Sequence, residues 1–188
     1  MVLLIVGLVV FLGIHTLTTL RGPRAALMER LGEGGYKGLY SVVAAVGLAL
    51  IIWGFSRYRD SGYVQIWSPP EELRPVTFVL MWLAFVALAA AYSPAGKIKG
   101  TLRHPMLVAV KAWALAHLLA NGDLGALVLF GAFLAWAVYD RIAVKRRGDT
   151  GARTMEVTWG DGMALGIGTA VFVAMFWLHP LLFGLPIV

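Results

Sequence analysis

The sequence predicts an all-α fold, a polytopic transmembrane bundle of about six membrane helices with both termini outside the cytoplasm. Three observations predict it. Apolar residues make up 60% of the 188 residues and charged residues only 14%. Mean hydropathy is +0.79, the range of multi-spanning membrane proteins rather than soluble domains. The apolar residues gather into runs near the ~20 residues that cross hydrocarbon, with the charges between them.

The first run, residues 2–20, begins apolar at Val2 with no basic segment before it. It reads as a retained helix rather than a cleaved signal. A turn at Gly32-Glu33-Gly34-Gly35 leads into the second run, residues 36–55. Pro69, Pro70 and Pro75 precede the third, residues 76–92. The fourth, residues 105–120, is short. It opens on Pro105, a residue suited to the first turn of a helix, after an interfacial turn around Thr101. Asn121-Gly122-Asp123 makes a tight turn into the fifth, residues 124–142. The sixth covers residues 162–183, where Gly162, Gly166 and Ala170 form a small-residue stripe suited to close helix packing. Residues 1–188 read as one integral membrane domain.

The basic residues set the orientation. The first gap holds Arg21, Arg24, Arg30 and Lys37; the third holds Lys97, Lys99 and Arg103; the fifth holds Arg141, Lys145, Arg146, Arg147 and Arg153. The second gap holds Arg57, Arg59 and Arg74, and the fourth holds none. The bias toward odd-numbered gaps places them in the cytoplasm. The formal charge of +6 lies in these gaps and forms no basic face on a soluble module, so nucleic acid is not an expected partner. With no cysteine, thiolate chemistry and disulfides are excluded. Ser56, Ser61, Ser68 and Ser93 have no His–Asp pattern nearby, and no glycine-rich nucleotide loop follows a strand.

Chemistry concentrates on four histidines, His15, His104, His117 and His179. A histidine inside an apolar run is costly unless it has a partner. His15 and His117 lie in two different apolar runs, beside Gly13 and Ile14 in one case and Ala114 and Ala116 in the other. Two imidazoles from different helices are what a six-coordinate haem iron requires. A hydrogen bond to a neighbouring carbonyl or hydroxyl would also account for either ring. Counting 1.5 Å per residue, His15 lies ~20 Å from the outer end of its run and His117 ~18 Å from the inner end of its own. His15 with His104 is therefore an alternative pair. His104 follows Arg103 and lies near Lys97 and Lys99, a setting for a propionate, a phosphate or a lipid headgroup. Lys111, inside the fourth run, either snorkels to the inner interface or pairs with an acid. That acid could be a haem propionate, or Glu156 or Asp161 if the fifth gap folds back. His179-Pro180 reads as a helix terminator at the outer interface.

These segments resemble the NnrU family, the membrane family that includes the 15-cis-zeta-carotene isomerases. The resemblance runs across nearly the whole chain. It is carried by Phe11-Leu12-Gly13-Ile14-His15, by Gly32-Glu33-Gly34-Gly35-Tyr36-Lys37-Gly38, by Arg103-His104-Pro105-Met106, by Trp113-Ala114-Leu115-Ala116-His117 with the residues through Asp123, and by Tyr139-Asp140-Arg141. It implies a multi-pass protein of the bacterial cytoplasmic membrane that binds haem b. The ligating histidines of the isomerase branch match His15 and His117; the residues themselves add Arg103, His104 and Lys111 as candidates to hold the cofactor. That branch has a cysteine three residues before the second ligand, implicated in a redox-dependent ligand switch. Ala114 stands there in this chain, so a thiolate-for-imidazole exchange is impossible. The bacterial branch is associated with denitrification and nitric-oxide metabolism.

The leading expectation is a haem-b membrane protein with a redox or haem-dependent role, with isomerisation of an apolar polyene as the enzyme chemistry the resemblance suggests. A second is an accessory membrane protein of nitrogen-oxide respiration, as a homo-oligomer or bound to a respiratory partner. A third is an S-adenosylmethionine-dependent membrane methyltransferase, because Arg-His-Pro also occurs in those enzymes. Met106-Leu107-Val108 replaces their aromatic context here, and no paired glutamates follow the fifth run.

Overall fold

A computed structural model describes residues 1–184. The helices are α1 (Val2–Leu17), α2 (Arg21–Asp60), α3 (Arg74–Tyr92), α4 (Lys97–Leu102), α5 (Pro105–Ala120), α6 (Leu124–Arg146) and α7 (Trp159–Phe183), with a 3-10 turn at Glu71–Leu73. There is no strand among the described residues, only an isolated bridge between Gln65 and Asp123. Four helices are long and apolar enough to cross a membrane: α2, α3 with its leading turn, α6 and α7. Helices α1 and α5 are apolar but have 16 residues each, so each is about 24 Å long against a hydrocarbon core of about 30 Å.

The first gap differs from expectation. Residues 21–31 are helical, and only Gly32 breaks α2, at φ 70 and ψ 166. The segment Arg24-Ala25-Ala26-Leu27-Met28-Glu29-Arg30-Leu31 consists of good helix formers, so its charge does not make it a loop. Glycine takes the left-handed φ without a Cβ clash, which is why the break falls there.

The chain divides into two compact units. The first comprises Met1–Pro69 and Asn121–Val144. Helices α1 and α2 pack antiparallel through glycines. A Cβ on Gly47 would lie 2.7 Å from the Phe11 nitrogen, one on Gly7 2.6 Å from the Ile51 nitrogen, and one on Gly54 would overlap the Leu4 backbone. Helix α6 runs parallel to α1: Phe11 meets Phe133, His15 meets Trp136, and Thr19 Oγ1 lies 3.3 Å from the Tyr139 hydroxyl. The loop after α2 is tied to the turn before α6. Ile66 N donates to Gly122 O at 2.8 Å, and Leu124 N donates to Val64 O at 2.9 Å. Asp123, nearly fully buried, accepts from Ala126 N at 3.0 Å and lies 3.6 Å from Arg59 Nη1. Asp123→Ala is expected to cost about 1–2 kcal/mol through the lost cap. Thermal unfolding in detergent measures it, and Asp123→Asn should keep most of the stability.

The second unit comprises Pro70–Ala120 and the chain from Lys145 onward. Helices α3 and α7 are antiparallel: Phe78 meets Phe176, Trp82 Nε1 donates to Thr169 Oγ1 at 2.9 Å, and a Cβ on Gly168 would lie 2.6 Å from Val86 Cα. The stripe Gly162, Gly166 and Ala170 does not pack. Gly162 and Gly166 face open space and Ala170 is exposed, whereas Ala164 and Gly168 are buried.

Helix α7 begins at Trp159, earlier than its apolar run, because Thr158 and Asp161 form a reciprocal capping box. The Asp161 carboxylate accepts from Thr158 N at 2.8 Å, Lys97 N at 3.0 Å and Ile98 N at 2.7 Å. One carboxylate thus caps both α7 and α4. The segment before α7 folds back on the α4–α5 junction, where Ala152 N donates to Arg103 O at 3.1 Å.

Candidate functional site

In the first unit, His15 stands in the last turn of α1. Its Nδ1 lies 2.6 Å from the Phe11 carbonyl, which can only accept, so Nδ1 carries the proton and Nε2 carries the lone pair. Aromatic rings surround the imidazole. Phe11 is 4.2 Å away between centroids, Tyr40 is 5.4 Å away edge-on, and Trp136 is 5.8 Å away at an interplanar angle of 87°. Tyr36 stacks next to Tyr40 at 6.3 Å and is 6% exposed. The Tyr36 hydroxyl and the Trp136 Nε1 are buried without a hydrogen-bond partner. Orphaned buried donors are rare and mark a place where an acceptor belongs.

In the second unit, His117 repeats the local arrangement in the last turn of α5. Its Nδ1 lies 2.9 Å from the Trp113 carbonyl, and the Trp113 ring packs on it at 5.2 Å. Both histidines therefore follow an aromatic residue four positions earlier, which supplies a carbonyl acceptor and a ring wall. His179 on α7 lies within electrostatic reach of His117. Ala114 is fully buried and Ala116 nearly so, which answers for that site whether small neighbours leave open room: they are packed. Gly13 beside His15 faces open space.

The other candidates cluster at the opposite end of α5. Arg103 is exposed and holds a left-handed backbone, φ 61 and ψ −52. Its carbonyl is engaged by Ala152. The Nε2 of His104 is buried without a partner, facing Gly151, where a Cβ would lie 2.9 Å from it. Lys111 is half-buried and makes no hydrogen bond or ion pair among the described residues. Although the fifth gap folds back, the oxygens of Asp161 serve backbone amides rather than Lys111. Among the described residues, no group of three or more His, Asp or Glu side chains could hold a metal ion.

Sequence reasoning singled out His15 and His117 but missed Tyr36, Tyr40 and Trp136 around the first and His179 near the second. A usable signal was present. Tyr36 and Tyr40 are four apart, as are Phe11 and His15, so each pair shares a helix face.

The family model described as NnrU protein matches residues 3–187. The chain belongs to the NnrU family. No curated protein and no solved structure matches it. In this NnrU chain the matched region takes in both histidine–aromatic arrangements, the Arg103-His104-Pro105-Met106 junction and the capping box of α7.

Proposed function

We propose that this NnrU protein binds haem b in the bacterial cytoplasmic membrane through His15 and His117 and serves a redox or haem-dependent role. The observation that carries it is the matching state of the two imidazoles. Each donates from Nδ1 to the carbonyl four residues earlier, which fixes the ring and leaves the lone pair on Nε2, the form that ligates iron. The donor set around His15 fits the group as well. The Tyr36 hydroxyl and the Trp136 indole are buried donors without acceptors, and an anionic or carbonyl-bearing cofactor edge would satisfy them. When bound, the iron supplies Lewis-acid or one-electron chemistry. The rings of Phe11, Tyr40 and Trp136 wall the half-buried His15 imidazole and would orient it toward the group. Ala114 offers no thiolate, so His15 and His117 would hold the group without a thiolate exchange. An apolar polyene is the substrate class that the resemblance to the isomerases suggests.

Six crossings with both termini outside the cytoplasm are part of this reading, and the packing directions within each unit are consistent with alternate crossings. Helix α1 is antiparallel to α2 and parallel to α6, and α3 is antiparallel to α7, as alternate crossings require.

A second reading keeps both ligands in one unit. His117 and His179 belong to the same unit and interact electrostatically, so they would be the alternative residues to hold the group.

A pyridine haemochrome assay on detergent-purified protein tests haem binding. One haem b per chain is expected, reduced or lost in both His15→Ala and His117→Ala and retained in full in His179→Ala. Loss in His179→Ala with retention in His15→Ala selects the second pair. No haem after haem-supplemented expression overturns both.

A further inference from the structure

A groove of about 440 Å³ runs between α3 and α7 in the second unit. Its walls are Phe85, Leu88 and Tyr92 of α3 and Met163, Ile167 and Val171 of α7. Gly168 forms its floor by bringing the α7 backbone against Val86, which leaves the space above unfilled. Along α3 it extends from Tyr92 back to Phe85, about 10 Å at 1.5 Å per residue.

One end of the groove is polar and cationic. Tyr92 is 80% exposed there, placed as an interfacial aromatic. Lys99 reaches back from α4, and its Nζ donates to Ala91 O at 3.0 Å and Ser93 O at 2.8 Å, the residues on either side of Tyr92. An ammonium has three hydrogens, and these two bonds leave one. Lys99 forms no ion pair among the described residues. The exposed Lys97 and Arg103 add positive charge to the same short segment. Asp161, which caps the same short helix, is committed to the backbone amides of Thr158, Lys97 and Ile98.

We propose that this groove is a lipid site that seats one acyl chain of an anionic phospholipid, with the lipid phosphate held at Lys99. The apolar walls select a hydrocarbon tail. The uncommitted charge at the mouth selects an anionic head over a zwitterionic one, on the basic side of the membrane where such heads and juxtamembrane lysines attract each other. The site uses none of the histidines and is independent of haem.

Native mass spectrometry of the whole detergent-solubilised chain, with equal amounts of dioleoyl-phosphatidylglycerol and dioleoyl-phosphatidylcholine, tests it. Retention of one phosphatidylglycerol is expected to exceed that of phosphatidylcholine by about fivefold. Lys99→Gln removes the charge while keeping a polar N–H donor, and it should bring the ratio close to unity. Lys99→Arg should restore the preference, which separates charge from folding. Ile167→Trp fills the groove toward lipid and should reduce retention of both lipids. Equal retention in the unaltered chain, or a preference that survives Lys99→Gln, overturns the site. A preference that survives Ile167→Trp overturns the groove as its seat and leaves surface attraction only.

Discussion

Asp161→Ala is expected to lower stability by about 1–2 kcal/mol, because half-buried backbone donors stripped of a capping acceptor cost about that much. Asp161 is 7% exposed and accepts three backbone N–H bonds, from Thr158, Lys97 and Ile98. Two of those donors belong to α4 and one to the N-cap of α7, so a single truncation uncaps both helices. Water recovers part of the loss where the capping segment meets solvent, which keeps the total well below the sum of three full penalties. Asp161→Asn retains one acceptor oxygen and should lose about half as much. Gly96 reinforces the point: a Cβ there would lie 2.5–2.7 Å from the Asp161 carboxylate atoms, so Gly96→Ala should also destabilise. The readouts are thermal unfolding in detergent and protease cleavage within residues 147–158, which should rise as the folded-back segment is released. A change within about 0.5 kcal/mol, the level of an ordinary surface substitution, would show that this carboxylate does not hold the two helices.

Gly54→Leu and Gly168→Leu are expected to cost about 3 kcal/mol each, the upper range for overpacking. At Gly54 the new side chain would start 2.7 Å from Leu4 Cα, and at Gly168 2.6 Å from Val86 Cα, so backbone rather than a flexible side chain would have to move. Gly162→Ala and Gly166→Ala are expected to act the other way. Both positions face open space, and alanine is favoured over glycine in a helix by about 0.8–1 kcal/mol. Thermal unfolding of the four variants should therefore split them into two destabilised and two neutral or stabilised. Destabilisation by Gly166→Ala would return the packing face of α7 to the stripe expected from sequence.

That stripe shows where sequence reading stopped. Helix α7 carries small residues at 160, 164 and 168 and again at 162, 166 and 170, both at a spacing of four. The two series lie on different faces, and only the presence of Val86 opposite Gly168 distinguishes them. Hydropathy located the apolar runs because crossing a membrane demands length and composition, which are local properties. The helix of residues 21–31 was missed because charge and Gly32 look like a loop when the helix formers between them are discounted. The start of α7 was missed because Thr158 and Asp161 precede the apolar run, and a capping box is read from two residues rather than from hydropathy.

The histidines were legible for a physical reason: imidazole in an apolar run is costly and therefore conspicuous. Their surroundings were not. Tyr36, Tyr40 and Trp136 are apolar enough to pass for ordinary membrane-helix residues, and only the tertiary contacts bring them to His15. His179 was assigned to helix termination because Pro180 follows it, yet α7 continues through Pro180 to Phe183. The preceding residues still supply a helical frame there, and His179 is carried into reach of His117.

The coordination of the iron is the most direct test of the central claim. Electron paramagnetic resonance of the ferric protein, reconstituted with haem b in detergent, should show a low-spin bis-imidazole spectrum. His15→Ala and His117→Ala should each convert it to high spin or abolish it, and His179→Ala should leave it unchanged. A low-spin spectrum that persists in His15→Ala, or a protein that takes up no haem, would contradict ligation by His15 and His117.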